Sequence, residues 1–460
     1  MKKKQEIKMG EGPLLKNILL YTMPIILTSL LQLLFNAADL VVVGRECGKL
    51  SVAAVGATGS LINLLVNSFL GLSIGAGVRI SQAYGAGDDN SARETVHTAI
   101  PASAISGIVL TAVVFFFSRT FLGWMGTPED CIELSALYMR IYAAGIVFNV
   151  IYNFAAAILR AVGDTKSPLI FLTIAGIVNV VLNIFFVKAF DMDVAGVALA
   201  TSISQFIACV LTVAALIKRK DACHLDLRKM RIRKTPLVSM LAIGIPAAIQ
   251  GSLFAISNVI IQAAVNSFGS TLLSGNSAAG NIEGFIFTIM YAFSTAAVNF
   301  IGYNYGAGNY KRIKQIALVC IGCVIVVGLA LGCFAFFFRR QLLSIYIPGE
   351  EEAIYWGMLR MCFTCIPYVL CGMLDVVTGC LRGLGSSTVP MGISVVGVCG
   401  FRLAWLYSVF TIGKYHNIQT LLISYPISWA ITLIAEAVAF AVVYSKKRRR
   451  YENTVDAQFE

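Results

Sequence analysis

LRAVGDTKSP, Leu159 to Pro168, returns as LRGLGSSTVP, Leu381 to Pro390, 222 residues further along the chain. Three other landmarks recur at nearly that spacing. MPIILTSLLQLLFN (Met23 to Asn36) is answered by IPAAIQGSLFAISN (Ile245 to Asn258), YGAG (Tyr84 to Gly87) by YGAG (Tyr305 to Gly308), and FFFSR (Phe115 to Arg119) by FFFRR (Phe336 to Arg340). Four landmarks kept in order and in register describe a duplicated chain of two homologous halves. In a membrane protein such a duplication places a site at the interface of the halves.

The composition says membrane. Of 460 residues, 58% are hydrophobic and only 13% charged, with a mean hydropathy of +0.79. Apolar runs of about 20 residues, the length a helix needs to cross a hydrocarbon core of about 30 Å, recur along almost the whole chain. The formal charge of +12 is spread over short clusters between these runs. That pattern is an orientation signal and excludes a nucleic-acid footprint. Most of the twelve Cys lie inside apolar runs and read as small buried residues, without disulfide framework or zinc spacing. No cleavable signal peptide is expected before the first span.

The spacing predicts an all-α polytopic protein of twelve spans in two six-helix bundles. A leader (residues 1–13) precedes spans at roughly 14–43, 52–78, 96–117, 136–158, 168–188 and 194–217. A basic linker (218–236) leads to spans at roughly 237–265, 277–300, 316–338, 354–381, 390–411 and 419–445, and a basic and polar tail (446–460) comes last. With the N-terminus inside, about 26 of the 36 Lys and Arg fall on the cytoplasmic side, so both termini are expected there. Six spans per half is an even number, so the repeats are expected to be parallel, related by a pseudo-two-fold along the membrane normal. LRAVGDTKSP, LRGLGSSTVP and the two YGAG stretches read as structural turns, with Gly permitting the bend and Pro opening the next helix.

Ionisable and polar residues within spans are costly, and each is a candidate for function. Gln32, Asn36 and Asp39 share one face of the first span. Asp39 is either an acid at the outer interface or a cation-binding carboxylate in an internal cavity. Asn179 and Asn183 share a face of the fifth span, and Thr201 and Ser202 open the sixth. Counting about 1.5 Å per residue puts Asp39, Asn183 and Thr201 at a common depth in the outer half of the bilayer. Amide and hydroxyl oxygens beside one carboxylate suit a small hard cation or a protonatable acid; alternatively the amides and hydroxyl are interhelical packing bonds. In the second half, Glu283 lies near the outer end of the eighth span and Asp375 in the tenth, where the repeat partner is Asn153. Arg402, in the middle of the eleventh span, needs a counter-charge: it either neutralises Asp375 or Glu283 or takes part in coupling. Arg140 and Arg360, near the outer ends of the fourth and tenth spans, read as interfacial anchors. Gln32, Asn36, Asn153, Asn258 and Arg402 are the candidates for lining a substrate cavity.

Together FNAADLVVVGR (Phe35 to Arg45), QAYGAG (Gln82 to Gly87), LRAVGDTKSP, NVVLNIFFV (Asn179 to Val187), NIEGF, NYGAGNY (Asn304 to Tyr310) and DVVTGCLRG (Asp375 to Gly383) resemble the multidrug and toxic compound extrusion (MATE) family of transporters over all twelve spans. The resemblance implies a V-shaped pair of six-helix bundles that expels amphipathic, often cationic compounds in exchange for inward Na⁺ or H⁺, with no cofactor. It maps the family's first-span aspartate to Asp39, its fifth-span asparagine to Asn179, its sixth-span threonine to Thr201 and its second-half acids to Glu283 and Asp375. Many relatives carry aspartate where this chain has Asn183, and some carry a cavity asparagine where it has Ala156. The first half thus keeps one carboxylate, and coupling rests either on Asp39 alone or on Asp375 and Glu283 as well. The site expected for Na⁺, if Na⁺ is the coupling ion, is Asp39, Asn179, Asn183 and Thr201. The expected partners are small organic molecules and the lipid bilayer of the cell membrane, with no nucleic acid and a monomeric state. The rival class is a lipid-linked precursor flippase of related architecture, which calls for a cavity rich in basic residues to hold pyrophosphate. A membrane enzyme lacks a nucleophile with its base in this sequence.

Overall fold

Hydrocarbon offers no water to an unpaired backbone amide, so a chain this apolar crosses a bilayer as helices that bond their own N–H and C=O groups. The computed structural model describes residues 7–413 and 416–459, and these form helices with no strand among the described residues. The first half contains α1 (Leu14–Glu46), α2 (Lys49–Gly85), α3 (Asp89–Trp124), α4 (Glu129–Ala161), α5 (Lys166–Phe190) and α6 (Asp193–Ile217). The second contains α7 (Lys234–Asn266), α8 (Ser270–Gly306), α9 (Tyr310–Phe337), the short α10 (Arg339–Tyr346), α11 (Glu351–Thr364), α12 (Tyr368–Gly383), α13 (Thr388–Ser394), α14 (Phe401–Ser408) and α15 (Ile418–Phe459).

Among the described residues, eleven segments are long and apolar enough to cross a membrane, and α11 with α12, bent by 49°, make a twelfth if the pair is one span. Among the described residues, two spans are not single continuous α-helices. The tenth breaks between Thr364 and Tyr368, at Pro367, whose ring nitrogen has no proton to donate. The eleventh runs α13, then a π-helical stretch Val395–Gly400, then α14. Such a wide turn inserts a residue and turns the side chains beyond it.

The chain divides into two compact units. One holds residues 7 and 8 with Met23–Ala248; the other holds Met9–Thr22 with Ile249–Glu460. The changeover falls beside an in-helix proline in both halves, Pro24 of α1 and Pro246 of α7. In the first unit α4 packs on α2, α3 and α6, around a core that includes Ile100, Met139, Ile146, Phe154 and Ile158. In the second, α12 packs on α8, α9 and α15, and α11 on α8.

The duplicated stretches fold into matching turns. Gly163 and Gly385 adopt φ of 88° and 79°. Around them Asp164 N bonds Leu159 O at 3.0 Å and Ser386 N bonds Leu381 O at 3.0 Å. Both close the last turn of a helix by the same reach-back bond that a left-handed glycine permits. Asp164 then caps α5, its Oδ1 accepting from Ser167 N at 3.0 Å and its Oδ2 from Ser167 Oγ at 2.6 Å. In the two YGAG turns Gly87 and Gly308 have φ of 69° and 70°. Asp88 and Asn309 come next, accepting from Ser91 N at 3.0 Å and Arg312 N at 3.3 Å to cap α3 and α9.

Close helix contacts rest on small residues, as is usual where apolar burial gives no advantage over lipid. A Cβ on Gly275 of α8 would stand 2.0 Å from Ala353 O of α11. Gly275→Val is therefore expected to destabilise the second unit by about 1–3 kcal/mol through overpacking. Thermal unfolding in detergent should show it, with Gly322→Val, whose Cβ meets nothing within 4 Å, as a control that leaves the melting temperature unchanged.

Candidate functional site

Asp39 of α1 is half-buried and faces α5. Its Oδ1 accepts from Asn183 Nδ2 at 2.5 Å. Asn183 Nδ2 also lies 3.4 Å from Asn179 Oδ1, and Asn179 Nδ2 donates to Thr201 Oγ1 of α6 at 3.3 Å. Thr201 in turn donates to Val197 O at 2.9 Å. The four residues picked out by spacing thus form one cluster carried by three helices. On α4, Tyr138 and Tyr142 stack with ring centroids 6.1 Å apart. Asn183 Oδ1 is buried with no partner among the described residues. An orphaned amide oxygen beside a carboxylate is a ready ligand for a hard cation.

Gln32 and Asn36 do not join the cluster: both are exposed and neither bonds a described residue. Asn153 is buried, where its Nδ2 reaches Asn149 O and Asn149 Oδ1, each at 2.9 Å. Asn149 Nδ2 donates to Gln205 Oε1 at 3.0 Å. Helical spacing within one span does not reveal this Asn149–Gln205 link, although two amides in apolar runs are a visible signal.

The second unit is organised differently. At the 222-residue offset, Asp39, Asn179 and Asn183 correspond to Ile261, Phe401 and Trp405, so no copy of the first cluster exists there. Glu283 of α8 instead meets Arg360 of α11: Nε to Oε1 at 3.0 Å and Nη2 to Oε2 at 2.7 Å. Thr364 Oγ1 donates to Glu283 Oε1 at 2.6 Å, and Arg360 Nη1 to Asn276 Oδ1 at 2.8 Å. Arg360, its side chain only 14% exposed, is therefore the ion-pair partner of the buried Glu283 and not an interfacial anchor. Position near a span end says nothing about which helix face a residue occupies.

Arg402 does not neutralise Glu283 or Asp375. Glu283 is taken by Arg360, and the Arg402 guanidinium donates from Nε to Ser428 Oγ at 3.0 Å and from Nη1 to Asn258 Oδ1 at 3.5 Å. The Asp375 carboxylate makes no hydrogen bond or ion pair among the described residues; its backbone carbonyl accepts from Ser294 Oγ at 2.6 Å.

The structure adds one further acid to those picked out above. Glu436 of α15 is fully buried, its Oε1 accepting from Ser394 Oγ at 2.6 Å and its Oε2 from Thr378 Oγ1 at 2.7 Å. Ser394 Oγ accepts from Gln250 Nε2 at 2.9 Å, and Gln250 Oε1 from Arg382 Nη2 at 2.7 Å. Its signal is present in the chain, since an acid in the apolar run LIAEAVAF (Leu433 to Phe440) is as costly in a membrane as Asp39.

A duplicated bundle of membrane-length helices with a carboxylate, amides and hydroxyls at depth describes a multi-pass membrane transporter. The MatE family model matches residues 24–185 and again 246–407, two segments that begin 222 residues apart, as the internal repeat does. A probable multidrug resistance protein of Bacillus subtilis, YoeA, is 27% identical over 94% of this chain and 95% of its own length. A second from the same organism, YpnP, is 30% identical over 82% of this chain and 84% of its own. A solved outward-facing MATE family multidrug resistance transporter shares the fold with a TM-score of 0.89 at 20% identity, over 98% of this chain and 100% of the other. The chain belongs to the MATE family and is a transporter, not an enzyme.

The two arginines near the outer ends of the fourth and tenth spans are expected to behave differently. Arg360→Ala leaves Glu283 charged and buried, a loss of about 3–5 kcal/mol, whereas Arg140→Ala is expected to lose less than about 1 kcal/mol. Denaturation of the two variants in detergent compares them directly; equal losses would show that the Glu283 pair is not buried.

Proposed function

We propose that this protein exports amphipathic and cationic organic compounds across the cell membrane by antiport against Na⁺ or H⁺, through alternating access. The observation that carries the reading is the Asp39 cluster: one carboxylate, held by Asn183 at 2.5 Å, with an unpartnered Asn183 oxygen and the Thr201 hydroxyl nearby. Sequence relatives named as probable multidrug resistance proteins support the substrate class.

In this reading Asp39 accepts the coupling ion when its cavity faces outward. Charge neutralisation then loosens the hold on a cationic substrate, because two positive charges compete for one carboxylate. Na⁺ would take Asp39, Asn179, Asn183 and Thr201 oxygens as ligands, while a proton would need Asp39 alone with Asn183 as its hydrogen-bond partner. Asp375 has no bonded counter-charge and serves as a second acid for cationic substrate.

The test is efflux of a fluorescent cationic dye from proteoliposomes under an imposed Na⁺ or pH gradient. Asp39→Asn is expected to abolish gradient-driven efflux, while Asp375→Asn slows it by a few-fold at most. The gradient that drives the native protein identifies the ion. If Asp375→Asn abolishes efflux and Asp39→Asn does not, coupling lies in the second half; dye that moves under neither gradient removes the exporter reading.

A further inference from the structure

Arg402 is an intramembrane charge of the second unit whose surroundings, among the described residues, are built but left incomplete. It is 4% exposed, and no carboxylate reaches it among the described residues. Two of its three nitrogens donate to neutral oxygens, one at the long distance of 3.5 Å. The third, Nη2, makes no hydrogen bond and yet is not among the sealed polar atoms, and Asn258 beside it is exposed. The guanidinium carbon lies 4.2 Å above the Tyr425 ring and 5.7 Å from that of Trp429.

The contrast with Arg360 is informative, because Tyr425 sits between the two arginines, 5.9 Å from Arg360 and 4.2 Å from Arg402. Arg360 is neutralised by a bidentate carboxylate. Arg402 has only rings and neutral oxygens, and the rings favour a cation without discharging it. Asp375 does not fill the role: the bonds of Arg402 among the described residues go to Ser428 and Asn258.

The backbone is also shaped for this residue. The π-helical stretch Val395–Gly400 ends two residues before Arg402, and Gly397 within it presses on α15 so closely that a Cβ would stand 2.3 Å from Thr432 Oγ1. Wide turns of this kind are costly and recur at functional sites. Here the turn precedes a guanidinium that reaches both α7 (Asn258) and α15 (Ser428). The first half has Val180 at the matching position, so the duplicated architecture does not need an arginine there.

We propose that Arg402, with Asn258, Ser428, Tyr425 and Trp429, is a binding site for the acidic group, a carboxylate or phosphate, of an amphipathic solute whose apolar ring packs on the same aromatics. A planar fork with free donors matches an oxyanion in two-point contact. The site thereby widens the transported class from cations to zwitterions and organic acids. Only the step from binding to transport rests on the exporter reading above.

The probe is a matched pair: rhodamine B, which carries a free carboxylate, and its ethyl ester, which does not. Fluorescence anisotropy with protein in nanodiscs, corrected for empty discs, gives both affinities without any gradient. The native protein is expected to bind the acid about tenfold more tightly than the ester. Arg402→Gln brings the acid down to the ester's affinity and leaves the ester unchanged, and Arg402→Lys, which keeps the charge and loses the fork, retains part of the preference. A native acid-to-ester ratio near one overturns the proposal even if the variants do not fold, and so does a preference that survives in Arg402→Gln. Loss of dye efflux in Asp39→Asn with the acid preference intact separates failure of coupling from failure of this site.

Discussion

The whole molecule is governed by the need to pair each backbone amide without help from water. That constraint admits helices and turns whose bonds close within a few residues, and it leaves side chains as the only means of putting polarity at depth. The repeated turns show how tightly it holds. Gly163 and Gly385, like Gly87 and Gly308, take the same left-handed conformation and close the same reach-back bonds, although Asp164 in one copy has become Ser386 in the other. Backbone geometry was preserved where it satisfies amides, while side chains outside those bonds diverged.

The divergence separates two electrostatic solutions. The first unit places Asp39 among the neutral amides and hydroxyl of Asn183, Asn179 and Thr201, with no cationic partner among the described residues. The second places Ile261, Phe401 and Trp405 at the corresponding positions and puts its charges elsewhere: Glu283 closed against Arg360, Glu436 held by two hydroxyls, Arg382 spent on Gln250. A closed ion pair in a low-dielectric core exchanges its partner reluctantly. Glu283 therefore acts as a strut between α8 and α11, whereas Asp375 and Arg402 remain electrostatically open.

The features legible in the sequence were periodic or duplicated. Span number, the internal repeat and the turns could be read because apolar length and glycine position have local physical causes. The Asp39 cluster was legible for a related reason: residues at a common depth on neighbouring spans can meet. Gln32 and Asn36 share a helical face with Asp39, but a face is only half an address, since α5 offers Asn183 at the level of Asp39 alone. The Arg360 pairing depends on the rotation of α11 about its axis, which no single span encodes. Glu436 needed Ser394 and Thr378 from two other spans before its burial made sense.

The break at Pro367 and the wide turn at Val395–Gly400 have a common effect. They lie in consecutive spans of the second half, α11–α12 and α13–α14, and each precedes a charged residue without an ion-pair partner among the described residues: Asp375 about two helical turns beyond Pro367, and Arg402 two residues beyond Gly400. A regular helix would carry those side chains to other faces, because each inserted or omitted residue rotates the remainder of the helix by about 100°. The irregularities thus fall in the two spans of an otherwise repetitive apolar scaffold that carry Asp375 and Arg402, while Tyr425 stands between Arg402 and the closed Glu283–Arg360 pair. A scaffold selected for packing alone has no reason to interrupt its own hydrogen bonds twice in succession.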